Sequence, residues 1–201
     1  MTIGQRDARL LDLRARMFGP LLKCLAACPS CRQDLEWNLP VSDLGCDAAT
    51  ETAQTHSLRA GDHAVEFRLP TTGDLTRLLP EVDVEVNRQQ LLHACLVAVR
   101  RGEQPVSTAE LPDEVASAVA VRMVELDPQA EILLHLHCPQ CGQEWQALFD
   151  IASFFWTELQ AAAQRLLLEV HELARTYGWQ EADILAMSAP RRHAYLEMLR
   201  A

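Results

Sequence analysis

Apolar residues recur at steps of three and four from Phe155 through Leu159, Ala162, Leu166, Val170 and Leu173 to Tyr177. That period predicts a long amphipathic helix over 150–177, with Gly178 placed to end it. "WQEADILAM" reads as a short helix, and Ser188 can cap a last one, "APRRHAYLEMLR". At the other end, Leu10, Leu11, Leu13, Met17, Leu21, Leu22 and Leu25 predict a helix over 5–26, which Gly19-Pro20 should break or kink. "NRQQLLHACLVAVRRG" predicts a helix from an Asn87 cap to a Gly102 stop. "PDEVASAVAVRMVEL" predicts another, with Pro112 and two acids in its first turn and Asp127-Pro128 at its end.

Elsewhere the period is two. "EILLHLHC" sets Ile132, Leu134 and Leu136 against Leu133, His135 and His137, which is a strand, and "QEWQALF" can return as its partner. "DLEWNL" (34–39) and "HAVEFRLP" (63–70, ending at Pro70) read as strands too. "TTGDLTRLL" reads as a short helix or turn, and 41–60 as a polar loop. Glu81, Asp83 and Glu85 fall on the alternating polar face of "EVDVEV" and read as solvated. The fold class is α+β, mainly helical: an N-terminal helix (1–27), a β-containing middle (28–149) and a helical C-terminal arm (150–201).

The chain has 201 residues, 49% of them hydrophobic, which suffices for a buried core. Residues 1–18 lack the uninterrupted apolar stretch of a secretory signal and no apolar run is long enough to span a membrane, so the expected compartment is the bacterial cytoplasm, where thiols stay reduced. The net charge is −10 and unevenly placed. Residues 103–150 carry nine acids and one base, and residues 1–33 carry six bases and two acids. An acidic chain with a single lysine repels phosphate backbones, so no nucleic-acid partner is expected. A phosphate-binding glycine loop, a Gly-x-Ser-x-Gly elbow and a His-Glu-x-x-His helix are all absent, and no catalytic residues are assigned.

Chemistry enters with the cysteines. "CPSCRQDLEW" begins at Cys28 and "CPQCGQEW" at Cys138. Two residues between thiolates let both sulfurs meet one ion from a tight turn, and zinc prefers four such soft ligands in a tetrahedron. Each pair is half a site, so Cys28, Cys31, Cys138 and Cys141 are expected to hold one structural Zn2+ per chain. Knuckles with trailing strands describe a zinc ribbon, split here by a long insertion whose ends must meet in space. A redox dithiol would need a βαβ setting that neither copy has. Cys24 and Cys95 read as small buried residues, with Cys24 one helical turn before Cys28; Cys46 lies in the polar loop. His135 and His137 adjoin Cys138 and read as exposed or hydrogen-bonded strand positions, because four sulfurs already close the shell. His171 reads as structural.

Taken together, "MFGPLLKCLAACPSC", "VEFRLPTTGDL", "CPQCGQEWQALFDIASFFWTEL" and "LEVHELARTYGWQEADILAMSAPRRHAYLEML" resemble the T-even bacteriophage baseplate protein family, in its zinc-ribbon branch associated with contractile injection systems. The marks most specific to it are Leu69-Pro70-Thr71-Thr72 and Tyr177-Gly178-Trp179. The resemblance implies baseplate or hub assembly in a phage tail-like particle and no enzymatic activity. It implies partners among other tail and baseplate proteins, such as a tape-measure or hub protein, and the paired cysteines match that branch. The other reading is a zinc-ribbon nucleic-acid-binding or regulatory protein, which the scarcity of Lys and Arg around the second knuckle disfavours. On the first reading the C-terminal arm docks the partner. Trp179, Ile184, Leu185, Tyr195, Leu196 and Leu199 then cover part of the long stripe, and Arg191-Arg192 either sit neutrally on the surface or face an acidic partner.

Overall fold

The computed structural model describes residues 1–45, 55–78, 81–108 and 111–199. The chain divides into two compact units, Met1–Ile151 and Ala152–Ala201. The class is α+β, as expected.

Helix α1 (Ile3–Phe18) starts in a capping box, in which the Thr2 hydroxyl accepts from the Gln5 N–H and the Gln5 side chain accepts from the Thr2 N–H. Gly19, at φ 91°, ends the helix outright. The expected helix over 5–26 is therefore wrong from Leu21 onward. Leu21–Ala27 is strand β1, antiparallel to β2 (Asp34–Pro40). Its apolar residues alternate in burial: Leu22 and Cys24 are inside, Leu21 and Leu25 outside. Arg14, almost fully buried, bridges the break by donating from Nη1 to the carbonyls of Gly19 (2.7 Å) and Leu21 (2.9 Å).

The middle of the unit is a four-stranded antiparallel sheet ordered β3 (His56–Ala60), β4 (His63–Phe67), β5 (Leu96–Arg101), β6 (Gln104–Val106). Part of the expected loop 41–60 is thus strand β3, and Val41–Leu44 is a 3-10 turn; Cys46 lies outside the described residues. Between β4 and β5 stand α2 (Thr72–Leu75) and α3 (Val84–Cys95). The single helix expected over 87–102 is instead α3 followed directly by β5. Asp83, not Asn87, caps α3, accepting from the Glu85 N–H at 2.8 Å. Glu81, Asp83 and Glu85 are exposed, as expected, although Val84 onward is helical. Helix α4 (Asp113–Leu126) follows, ends at Asp127 as expected, and buries Val115, Val119 and Met123 against Val65, Phe67, Leu69, Cys95 and Val99.

Two joints tie this insert to the N-terminus. The Asp127 carboxylate accepts from the Gly4 N–H at the start of α1, where the helix dipole favours an anion. A Cβ on Gly4 would collide with that carboxylate, so only glycine fits. The second joint is the Leu-Pro-Thr-Thr segment. Pro70 accepts from the Ile3 N–H, and Thr71 makes an isolated β-bridge with Thr2. Asp74 accepts from the Thr71 N–H and hydroxyl and from both Arg68 Nη atoms, at 2.7–2.8 Å, while Arg68 also donates to the Ala94 carbonyl at the end of α3.

The Arg68 guanidinium beside buried Asp74 holds its carboxyl well below the usual carboxylate range. A depressed folded-state pKa contributes stability that is complete above the unfolded value, about 3.9, and is lost as pH falls below it. Asp74→Asn is therefore expected to destabilise the protein by about 2 kcal/mol at neutral pH, a deficit that narrows below about pH 4. Urea melts of both proteins across pH 3–7 measure it; a deficit independent of pH would mean the ion pair is not the cause.

The last pair of strands is β7 (Ile132–His137) and β8 (Glu144–Phe149), both as expected. Helix α5 (Ile151–Tyr177) also forms as expected, and Gly178, at φ 68°, stops it. In the second unit α6 (Glu181–Ala186) and α7 (Ala189–Met198) fold against it. Val170, Leu173, Ile184 and Leu196 form the core, and Tyr177, Trp179 and Tyr195 pack as an aromatic cluster with ring centroids 4.5–5.8 Å apart. Leu185 and Leu199 do not join that cover; both are exposed. Arg192 needs no outside partner, since it pairs with Glu169 at 3.0 Å and donates to the Met187 carbonyl at 2.7 Å. His193 meets the same carboxylate at 3.0 Å, and Arg191 lies over the Tyr195 ring.

Candidate metal centre

The two Cys-Pro-x-Cys turns sit at the tips of the β1–β2 and β7–β8 hairpins and are built alike. The first cysteine N–H donates to the carbonyl of the residue five on, Cys28 to Gln33 (2.9 Å) and Cys138 to Gln143 (2.8 Å). The first cysteine carbonyl accepts from Arg32 and from Gly142, each at 2.9 Å. Both turns need a left-handed residue there: Gly142 has φ 75° and Arg32 φ 61°. Arg32 is the only non-glycine with positive φ among the described residues, a strain on the order of 1 kcal/mol that the surrounding turn sustains. Trp37 and Trp145 stand nine and seven residues after the first cysteine of their turns. The difference of two keeps both rings on the same strand face, because side chains alternate with period two.

The fold brings the turns tip to tip. Cys28 Sγ lies 3.7 Å from Cys141 Sγ, and Cys31 Sγ lies 3.6 Å from Cys138 Sγ. All four sulfurs fall within 4.8 Å of one another. A tetrahedron with about 2.3 Å from metal to sulfur has edges of about 3.8 Å, so the four thiols are spaced to hold a metal ion. Cys28 and Cys138 are buried, Cys31 and Cys141 exposed, so each turn offers one inner and one outer ligand. The backbone of Cys31 draws the Cys28 thiol down to about 7, against the opposing effect of burial. At Cys31 the Gln33 backbone also lowers the pKa, but burial and the three neighbouring sulfurs outweigh it and push it up to about 12. Crowded sulfurs resist sharing negative charge, and a dication at their centre removes that resistance.

Cys24 and Cys95 are buried away from this cluster, and burial pushes the Cys95 thiol up to about 11. Cys24 is a strand residue paired with Trp37, not a helical one. His135 and His137 lie exposed on β7, with His135 hydrogen-bonded to Gln146, and His171 is exposed. Sequence reasoning missed Asp74 and its Arg68 partner. The available signal was the Thr-x-x-Asp spacing of Thr71 and Asp74, which marks a capping box.

Two β-hairpins that meet at a cluster of four thiols close enough to hold a metal ion, with a sheet-and-helix insert between them, define an α+β protein. The chain belongs to the T4 bacteriophage base plate protein family, whose sequence model matches residues 1–156. That span covers the whole first unit, both cysteine pairs and the Leu-Pro-Thr-Thr segment; α5 beyond Trp156, α6 and α7 lie outside it. Searches of curated proteins and of solved structures found no match. Among the described residues no helix is long and apolar enough to cross a membrane.

Proposed function

We propose that this protein is a non-enzymatic assembly protein for the baseplate or hub of a contractile, phage tail-like injection system. In this reading Cys28, Cys31, Cys138 and Cys141 hold one structural zinc ion, and the two hairpins form a zinc ribbon split by the insert. The closed sulfur shell leaves no position for a reacting water, so the ion holds the fold together. The observation that carries the reading is the approach of four sulfurs from two turns 106 residues apart to within 4.8 Å, inside the span that the baseplate family matches.

The C-terminal arm docks the partner, which is a tail or baseplate protein such as the hub or tape-measure protein met in the producing cell's cytoplasm. Supporting this, Leu167 and Leu168 on α5 remain more than 60% exposed after α6 and α7 have folded back, and soluble monomers rarely leave such side chains clustered. Leu167→Glu with Leu168→Glu removes the apolar surface without touching the core of the second unit. The double variant is expected to fold, keep its metal and lose at least roughly 90% of the baseplate or tail protein that the wild type captures from the producing cell. Mass spectrometry of captured proteins and of purified particles reads the result. Undiminished capture would place docking elsewhere.

A further inference from the structure

We propose that the open edges of β2 and β7, which border one groove, take up an extended segment of another polypeptide as an added strand, one that alternates basic with apolar residues. This surface belongs wholly to the first unit and stands whether or not the C-terminal arm docks a partner.

Among the described residues β1–β2 and β7–β8 are sheets of only two strands, so each strand leaves one edge without a neighbour. Such ribbons are marginal in isolation, and an unpaired edge is a template for a further strand. A groove of about 570 Å³ is lined by residues 33–37 on one side and by 135–137 on the other. Successive strand side chains point to opposite faces, so a groove touched by every residue of both runs lies along the strand edges and not on a face. The ladder agrees. The Cys28 N–H donates to the Gln33 carbonyl and the Cys138 N–H to the Gln143 carbonyl. Bonded pairs alternate with unbonded ones in an antiparallel ladder, which turns the backbone N–H and C=O groups of Asp34, Glu36, His135 and His137 outward. The Asp34 carbonyl also accepts from the Gln33 side chain at 3.2 Å and keeps a second lone pair. Side-chain chemistry selects the guest. On β2 the exposed Asp34 and Glu36 share one face, and the half-buried Leu35 and Trp37 share the other; Leu136 of β7 is half-buried too. No lysine or arginine lines the groove, and neither carboxylate makes an ion pair among the described residues. A strand laid there presents alternate residues to the carboxylates and the residues between them to Leu35, Trp37 and Leu136. Lys or Arg in the first set and aliphatic residues in the second complement both sides.

The probe is a short, end-blocked peptide of alternating Lys and Val. Calorimetry on the purified full chain is expected to show saturable one-to-one binding that weakens as salt is raised. In hydrogen exchange read by NMR, the amides of Asp34, Glu36, His135 and His137 should slow when the peptide binds. A Glu–Val peptide of the same length should bind at least roughly tenfold more weakly through charge, and the Lys–Val peptide methylated at alternate backbone nitrogens should do so through lost ladder bonds. Asp34→Asn with Glu36→Gln should weaken Lys–Val binding by a similar factor with an unchanged melting curve, since both side chains are exposed. Leu167→Glu with Leu168→Glu should leave that binding unchanged, which separates this surface from the C-terminal arm. The assignment is overturned if the Lys–Val peptide shows no saturable binding, if the Glu–Val or the methylated peptide binds as tightly, if those four amides gain no protection, or if the double substitution on β2 has no effect.

Discussion

Cys28→Ser is expected to empty the four-thiol centre and unfold the first unit. A hydroxyl is a poor substitute for a soft thiolate, and the three remaining sulfurs would still crowd one another without the dication that reconciles them. Structural zinc contributes about 10–16 kcal/mol in isolated fingers, which matches or exceeds the whole stability of an ordinary domain, about 5–15 kcal/mol. The centre also joins two-stranded hairpins that are marginal by themselves. Elemental analysis should show about one zinc per wild-type chain and none in the variant, and near-UV circular dichroism should show lost packing. Cys95→Ser supplies the contrast: its thiol sits in the apolar core, so the hydroxyl lowers stability but leaves the metal in place. A Cys28→Ser protein that keeps stoichiometric zinc, or that melts like the wild type, would refute the ligand assignment.

Phe67→Ala should produce the second large effect, by a different route. Phe67 is fully buried on β4, packed among Val65, Leu69, Cys95, Val99, Val115, Val119 and Met123, with the His56 ring 5.8 Å away. Truncating a buried phenylalanine removes its transfer free energy and leaves a cavity, together about 3–5 kcal/mol. In a unit of this size that lowers the melting temperature by roughly 10 °C. Metal held by the four thiols should stay, since the sulfurs belong to the hairpins and not to this core. Calorimetric melts with parallel metal analysis distinguish the cases. A melting temperature within a degree or two of wild type would mean that the insert is not the core that carries the unit's stability.

Legibility in the sequence followed the length and regularity of the local pattern. The seven-turn stripe of α5 and its glycine stop, the acid-led start of α4, the strand after the first cysteine turn and the strands on either side of the second could all be read directly. Leu21–Ala27 and Leu96–Arg101 could not. Each is a short apolar run joined to a helix, and six or seven such residues satisfy either period. What makes them strands is pairing: Leu22 opposite Leu39 and Val99 opposite Val65, across turns and insertions that carry no local signal. Likewise the charge of Arg192, which looked outward in sequence, is satisfied by Glu169 one helix away.

The sequence by itself determined the ligand chemistry of the candidate site and the kinship of the chain, because both reside in residue identity at short spacing: Cys-Pro-x-Cys twice, and the baseplate family's pattern over residues 1–156. Only the tertiary structure decided that Cys28 meets Cys141 and Cys31 meets Cys138, and that Asp127 and the Pro70-Thr71 segment fasten the insert to the start of α1. Those are contacts between residues far apart in the chain or set by strand register. Burial and backbone pairing must bring such residues together across the chain, and no window of local sequence contains that information.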